Sequence, residues 1–364
     1  MSTRASSASA TTNTTTTDLL IVGGGPAGLS AAIMFSRLNR PCVVYDSGLY
    51  RNEGVAHSHT IAGYENAPPA DVRSKIRADL QEYYGHSAEY RKGKIVEVKR
   101  VEGENRFEAK DEEGRSINAR KVVLATGLKD HLSEIPGLAE QWGKRAIHCI
   151  FCHGTETREQ PFAFLVTEKN KAFNPMMISS IFKLWRPLNH TKSYIFTHGL
   201  DVEDPAGQGR KDAGLEKDYD LVRSLGYEII TSPVESVYEN TDKTALDIKF
   251  TSHPPITIPY MLVFPEKMTP SAHSPWLAGL FSEPLGPMGT IPFPPAPPVS
   301  EGEAQAKGMP RMGDDPKTSV KGLFWAGNSG SAVANVAMSV AQGQMAAAMA
   351  GDELGEEDIN KLRH

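Results

Sequence analysis

Apolar residues in this chain gather into short unbroken runs separated by glycine-rich or polar turns. Leu19-Leu20-Ile21-Val22 is the first, followed by Cys42-Val43-Val44-Tyr45, Val122-Val123-Leu124 and Leu323-Phe324-Trp325. Each has the length of a strand and predicts a buried one. Between the first two runs, Gly23-Gly24-Gly25-Pro26-Ala27-Gly28 leads into small and apolar residues, which predicts a tight turn opening a helix. A long helix rich in small residues is expected around 336–344, after the strand at 322–325. The middle of the chain repeats the theme, with strand-like runs at 161–167, 193–199, 227–230, 246–250 and 260–264 around a helical pattern at 219–225. Strands alternating with helices define an α/β fold class.

Composition narrows the picture. With 364 residues, 40% of them hydrophobic, the chain can bury a sizeable core in about two domains. A net charge of -5 gives no electrostatic reason to expect nucleic acid. No apolar run approaches the ~20 residues that cross a bilayer, so no membrane partner is expected. Residues 1–17, MSTRASSASATTNTTTT, lack the apolar segment of a secretory signal and read as a disordered tail on a cytoplasmic protein. The proline-rich stretch 284–298 is expected at the surface, as a rim or a dimer contact.

Two motifs carry chemistry. Gly23-x-Gly25-x-x-Gly28 sits between a strand and a helix, with Asp46 ending the next strand. This is the dinucleotide-binding pattern: glycine for the turn, glycine for close approach to a pyrophosphate, glycine for helix–strand packing, and an acid for a ribose. The second motif is Cys149-x-x-Cys152-His153, which fits a haem c attachment site, half a zinc site or a redox dithiol pair. The missing export signal weighs against haem, and the lack of another Cys/His pair at zinc spacing weighs against a structural metal. The redox pair is the expectation. Cys42, the third cysteine, lies in an apolar run and reads as core.

The motifs GGGPAGLSAA at 23–32, VVLATG at 122–127, CxxC-His-Gly at 149–154 and LFWAGN at 323–328 occur in the order found in low-molecular-weight thioredoxin reductases. From Asp18 to about Gly351 the chain resembles that two-dinucleotide-domain flavoprotein fold. Within it, the chain is most similar to the fungal CxxC-His dithiol oxidases of the gliotoxin oxidoreductase type. The resemblance implies an FAD-binding domain from residues 18–130 and 268–364, with residues 131–267 inserted as a CxxC-bearing domain. It implies that FAD is held by Gly23, Gly25, Pro26, Ala27, Asp46 and Ser47, and by Arg51, Asn52, His59 and Thr60 along the following stretch. Val96, Ala125, Gly127, Gly327, Asn328 and Val336 complete that set. Asn328 stands where the family usually carries an aspartate on the ribityl chain, so FAD is expected to be held differently there. By the same resemblance Cys152 faces the flavin, Cys149 exchanges with substrate, and the protein is a homodimer. His153 is a candidate acid/base beside the pair.

In thioredoxin reductases the inserted domain binds NADPH through a second glycine turn. Here the strand at 161–167 runs into Glu168-Lys169-Asn170-Lys171-Ala172-Phe173-Asn174-Pro175, without a glycine, and 201–204 offers acids where a 2′-phosphate needs arginines. The second nucleotide site is expected to be degenerate. Without that donor, the resemblance implies oxidation of a small-molecule dithiol, such as a dioxopiperazine of secondary metabolism, with dioxygen as acceptor. A reductase fed by a donor such as ferredoxin, and a flavin-binding protein without turnover, remain open readings.

Overall fold

The computed structural model of the protein describes residues 14–270, 275–282, 284–285, 290–291, 315–331 and 335–363. The described residues divide into two compact units. One takes those within Met1–Tyr50, Arg73–Lys129 and Thr269–His364, and the other takes Arg51–Val72 and Asp130–Met268.

The first unit begins with β1 (Thr14–Val22), α1 (Pro26–Ser36) and β2 (Cys42–Asp46), followed by β3 (Ala88–Lys92), β4 (Ile95–Arg100), β5 (Phe107–Asp111) and β6 (Ser116–Leu124). They form one sheet in the order β3-β2-β1-β6-β5-β4, with the strand Leu323–Trp325 added beside β6. Pairing is parallel at β2–β3, β1–β2, β1–β6 and Leu323–Trp325, and antiparallel from β4 to β6. Leu19, Ile21, Val44, Val123 and Phe324 pack on one face against α1 and the long helix Val336–Arg363, while Leu20, Val22, Val43, Val122 and Trp325 fill the other. Burial on both faces explains why these strands read as unbroken apolar runs.

β1 starts earlier than expected. Thr14 to Thr17 pair with Ser116 to Ala119, so these four threonines are strand and not part of a disordered tail. Their branched β-carbons suit a pleated ladder that already has a partner. The rest of the expected tail, residues 1–13, lies outside the described residues. The long helix is anchored by charge: fully buried Lys121 lies 3.1 Å from Glu353 and 2.6 Å from Glu357, and Arg120 and Arg40 each reach Asp358 at 2.7 Å. Most of the proline-rich stretch is outside the described residues, but Ile291 is 1% exposed, which corrects a purely surface reading there.

The second unit holds a five-stranded parallel sheet in the order Glu228–Ile230, Ser193–Phe196, Phe162–Leu165, Tyr260–Val263, Ala146–Ile147. A three-stranded antiparallel sheet, Val234–Glu239, Leu246–Phe250 and Ile256–Ile258, packs into its core. The segment Arg51–Val72, assigned from sequence to the FAD-binding domain, packs with this unit instead. One reason is the two-pronged pair of Arg51 with Asp130, both contacts at 2.8 Å. The connections Leu128–His131 and Lys267–Pro270 are short strands paired with one another.

Two expectations follow from this packing. A β-carbon on Gly28 would lie 1.8 Å from the Gly23 carbonyl oxygen, whereas one on Gly25 would meet no protein atom within 4 Å. Gly28→Ala should therefore destabilise by about 3 kcal/mol or more, while Gly25→Ala should unfold like the parent in urea yet retain no dinucleotide on purification. In the second unit His148 stacks on Trp142 with ring centroids 4.8 Å apart, and its Nδ1 is buried without a partner. Burial pushes its pKa down to about 4, so between the ordinary histidine range and that value the unfolded chain binds the extra proton. Stability is full above that range and falls with pH. His148→Phe, which keeps the stacking and removes the titration, should lessen the loss between pH 8 and pH 5 by about 2 kcal/mol in urea titrations.

Candidate active site

Cys149 precedes a single helical turn, Ile150–His153, that follows directly on the strand Ala146–Ile147. The turn is closed by the His153 N–H donating to the Cys149 carbonyl at 3.2 Å. Three-residue spacing on one turn brings the two sulfurs together, and they are joined as a disulfide with Cα atoms 5.3 Å apart. These are the two cysteines that the sequence reading expects to act as a redox pair.

His153 follows the second sulfur and is partly buried, with Nδ1 shielded and without a hydrogen-bond partner. Burial holds its pKa below the ordinary histidine value, Glu156 pulls the other way, and His59 adds to the lowering. The ring is therefore neutral at neutral pH, with the lone pair or proton of Nδ1 uncommitted. His59 is clamped between two carboxylates, with Nδ1 2.6 Å from Glu65 Oε1 and Nε2 3.1 Å from Glu156 Oε1. The Thr60 N–H donates to Glu65 Oε2 at 3.0 Å from a left-handed backbone with φ 62°. The Asn52 carbonyl accepts from the Val55 N–H. Arg51, Asn52, His59 and Thr60, expected along the cofactor, thus all belong to the unit that carries the cysteines. Glu156 was not singled out from the sequence. Its position three residues after His153, the spacing of neighbours on a helix, was the available signal.

The first unit presents the dinucleotide residues. Gly23 takes φ 118°, and a β-carbon there would lie 2.2 Å from the Ala125 oxygen, so the turn of α1 rests on the end of β6. Pro26 opens α1, where its missing N–H costs nothing, and Ala27 is buried beneath. Asp46, 3% exposed, accepts from the Gly48 N–H at 2.9 Å and from the Tyr50 and Tyr90 hydroxyls at 2.6 Å. It borders a cavity of about 470 Å³ whose lining includes Ser47, Arg77 and Lys92. Tyr90 was not foreseen.

At the same end of these parallel strands, Gly127 and Gly327 both take positive φ, 66° and 67°. The Gly127 N–H donates to Ser329 Oγ at 2.9 Å, a serine that the sequence reading passed over. The Asn328 amide donates to the Ser331 carbonyl at 3.0 Å, which an aspartate could not do. Val336 starts the long helix, and Asn335 Oδ1 caps it by accepting from the Met338 N–H at 2.8 Å. Val96 is 42% exposed on β4. The open space at Gly25, the free start of α1 and the cavity beside Asp46 fit the pyrophosphate and adenosine of FAD.

Comparison with known proteins agrees with this geometry. Residues 17–168 match the family described as Pyridine nucleotide-disulphide oxidoreductase. The thioredoxin reductase aclD of Aspergillus oryzae is 31% identical over 327 residues, covering 89% of this chain and 91% of that protein. The thioredoxin reductase tcpT of Claviceps purpurea is 42% identical over 134 residues, which are 37% of this chain and span only 41% of tcpT. Among solved structures, HlmI superposes with a TM-score of 0.73 at 26% identity over 95% of each chain. A putative thioredoxin reductase of Bacillus anthracis shares the fold, with a TM-score of 0.75 at 20% identity over 94% of this chain and 99% of its own. A match running through both units and both motifs places the chain among the thioredoxin reductase-like pyridine nucleotide-disulphide oxidoreductases, as an FAD-dependent disulfide oxidoreductase.

Proposed function

We propose that the protein oxidises a small-molecule dithiol to a disulfide at Cys149–Cys152, with dioxygen as the final acceptor. The observation that carries this reading is the filled turn of the second unit. After the strand Phe162–Leu165 the chain makes a 3-10 turn, Glu168–Asn170, and enters the helix Asn174–Ser180. Asn174 is fully buried at the helix start, and its Nδ2 donates to the Thr167 carbonyl at 2.9 Å and the Asp212 carbonyl at 2.7 Å. Gly214 is seated against the same place, since a β-carbon on it would lie 2.5 Å from Asn174 C and Pro175 N. A turn packed this closely, with Pro175 offering no N–H, supports the reading that no pyrophosphate is held here. Farther on, Arg210 and Arg223 are engaged by Glu203 at 3.5 Å and 3.9 Å and lie over the Tyr219 ring, which draws them away from a 2′-phosphate. This arrangement supports a protein that takes its electrons from a thiol and not from a pyridine nucleotide.

The exchange proceeds on the chain's own sulfurs. A substrate thiolate attacks Cys149 Sγ, the Cys149–Cys152 bond breaks, a mixed disulfide forms, and Cys152 leaves as a thiolate. The second substrate sulfur then attacks the first, releasing the product disulfide and Cys149, so that two electrons and two protons pass to the pair. His153, neutral and uncommitted at Nδ1, takes a proton from the attacking thiol and returns it to a departing sulfur. FAD, when bound by the residues of the first unit, supplies the two-electron acceptor that dioxygen regenerates with release of hydrogen peroxide.

Anaerobic mixing should separate this reading from its rivals. Dithiothreitol should bleach the flavin of the purified protein and NADPH should not; bleaching by NADPH would overturn the proposal. Cys149→Ser and Cys152→Ser should each abolish aerobic peroxide formation from dithiothreitol with flavin content intact, because the two sulfurs act as one unit. His153→Ala should lower kcat by roughly 10²-fold, most steeply at low pH where thiolate is scarce. An unchanged pH profile in that variant would return His153 to a packing role.

A further inference from the structure

The turn that carries the disulfide is also held by His190, from a separate part of the second unit. His190 lies between the 3-10 turn Arg186–Leu188 and the strand Ser193–Phe196. Its ring is stacked on Phe162, the first residue of the neighbouring strand, with centroids 4.6 Å apart and planes 15° from parallel. The backbone is tied down on both sides of it. The Glu159 N–H donates to the Leu188 carbonyl at 3.0 Å, and the Thr191 N–H donates to the Gln160 carbonyl at 3.2 Å. So held, His190 Nε2 lies 3.0 Å from Thr157 Oγ1, which in turn lies 2.8 Å from the Gly154 carbonyl oxygen. Thr157 is fully buried, and Gly154 directly follows His153.

Counting protons gives these bonds a direction. A carbonyl only accepts, and a threonine hydroxyl has a single hydrogen. Given to Gly154, that hydrogen leaves Thr157 Oγ1 to accept, so His190 carries its proton on Nε2 and donates it. The Gly154 carbonyl takes a second bond from the Thr157 N–H at 3.0 Å, and the Gly154 N–H donates to the Ile150 carbonyl at 2.6 Å. The end of the turn is thus fastened to its own start and, through Thr157 and His190, to the strand that Phe162 begins. One helical turn, Ile150–His153, has little stability of its own, so an outside fastening weighs more here than on a long helix. We propose that His190, acting through Thr157, is a positioning residue that keeps Cys149 and Cys152 close when the bond between them is open. The closed disulfide holds its sulfurs together covalently, whereas the dithiol depends on the turn. A turn that loosens lowers the effective concentration of one thiol at the other and disfavours closure. This goes beyond the proposed function, because it concerns the stability of the pair as a disulfide and not the substrate, the acceptor or the direction of turnover.

The test equilibrates the flavin-loaded protein anaerobically in mixtures of reduced and oxidised glutathione, then quenches in acid and alkylates the free thiols to obtain the constant for closing the pair. His190→Phe keeps the stack on Phe162 and lacks the donor; Thr157→Val keeps the shape and lacks the hydroxyl. Each should lower the closing constant about fivefold, which raises the potential by about 20 mV. The double variant should fall no further than either single one, because both break the same chain of bonds. Thr157→Ser, which keeps the hydroxyl, should retain the parent constant. A purely packing role would lower the urea midpoint of these variants and leave the closing constant unmoved, and that result would overturn the proposal. Additive losses in the double variant would overturn it as well, since the two residues would then act separately. Should His190→Phe fail to fold, Thr157→Val set against Thr157→Ser decides the matter alone. Alkylation needs neither dioxygen nor a substrate, so failure of dithiothreitol to bleach the flavin would defeat the oxidase reading and leave this measurement intact.

Discussion

The structure of the first unit depends on backbones approaching closer than any side chain allows. At Gly28 a β-carbon would sit 1.8 Å from the Gly23 oxygen, and at Gly343 one would sit 2.1 Å from the Ala27 oxygen. Both glycines lie inside helices, where each costs about 1 kcal/mol relative to alanine. That cost is offset by bringing α1 down onto the end of β1 and the long helix down onto α1. Gly24 extends the same constraint to Asp46, whose carboxyl carbon lies 2.2 Å from where its β-carbon would be. One set of missing methyl groups therefore fixes where the helix N–H groups point and where Asp46 stands beside them.

The second unit shows what the same architecture does when that constraint is lifted. Its parallel strands also deliver a helix from the end of a central strand, but the turn carries Asn174 in place of glycine. The asparagine Nδ2 donates to two carbonyls of its own chain, while its Oδ1 is buried without a hydrogen-bond partner.

What could be read from the sequence follows the range of the interactions. The glycine turn, the buried strands and the cysteine pair are local patterns, and strands such as 246–250 were placed to the residue. Thr14 to Thr17 were misjudged because a polar threonine run has the composition of a disordered tail, and only its pairing with Ser116 to Ala119 makes it a strand. Arg51–Val72 groups with the second unit through anchors, Asp130 and Glu156, that lie about eighty and one hundred residues away, a range at which no spacing rule operates. Tyr90 on Asp46 and Ser329 on Gly127 escaped for the same reason. Only the backbone neighbour is legible in sequence; the partner across the sheet is not.

The histidines beside the disulfide show how one residue type divides between structure and chemistry. His148 is stacked on Trp142 and held far below its ordinary pKa, at about 4, which makes it part of the packing. His153 is lowered as well but lies near Glu156 and His59, whose opposing influences bear on its proton. The helix that carries Cys152 has a single turn, too short for an aligned macrodipole to favour a thiolate appreciably. On the proposed reading, proton removal here comes from a side chain; Nδ1 of both His148 and His153 lacks a hydrogen-bond partner, and the stacking of His148 on Trp142 leaves His153 as the base. A short helix and an adjacent imidazole are thus two halves of one solution to the same ionisation problem.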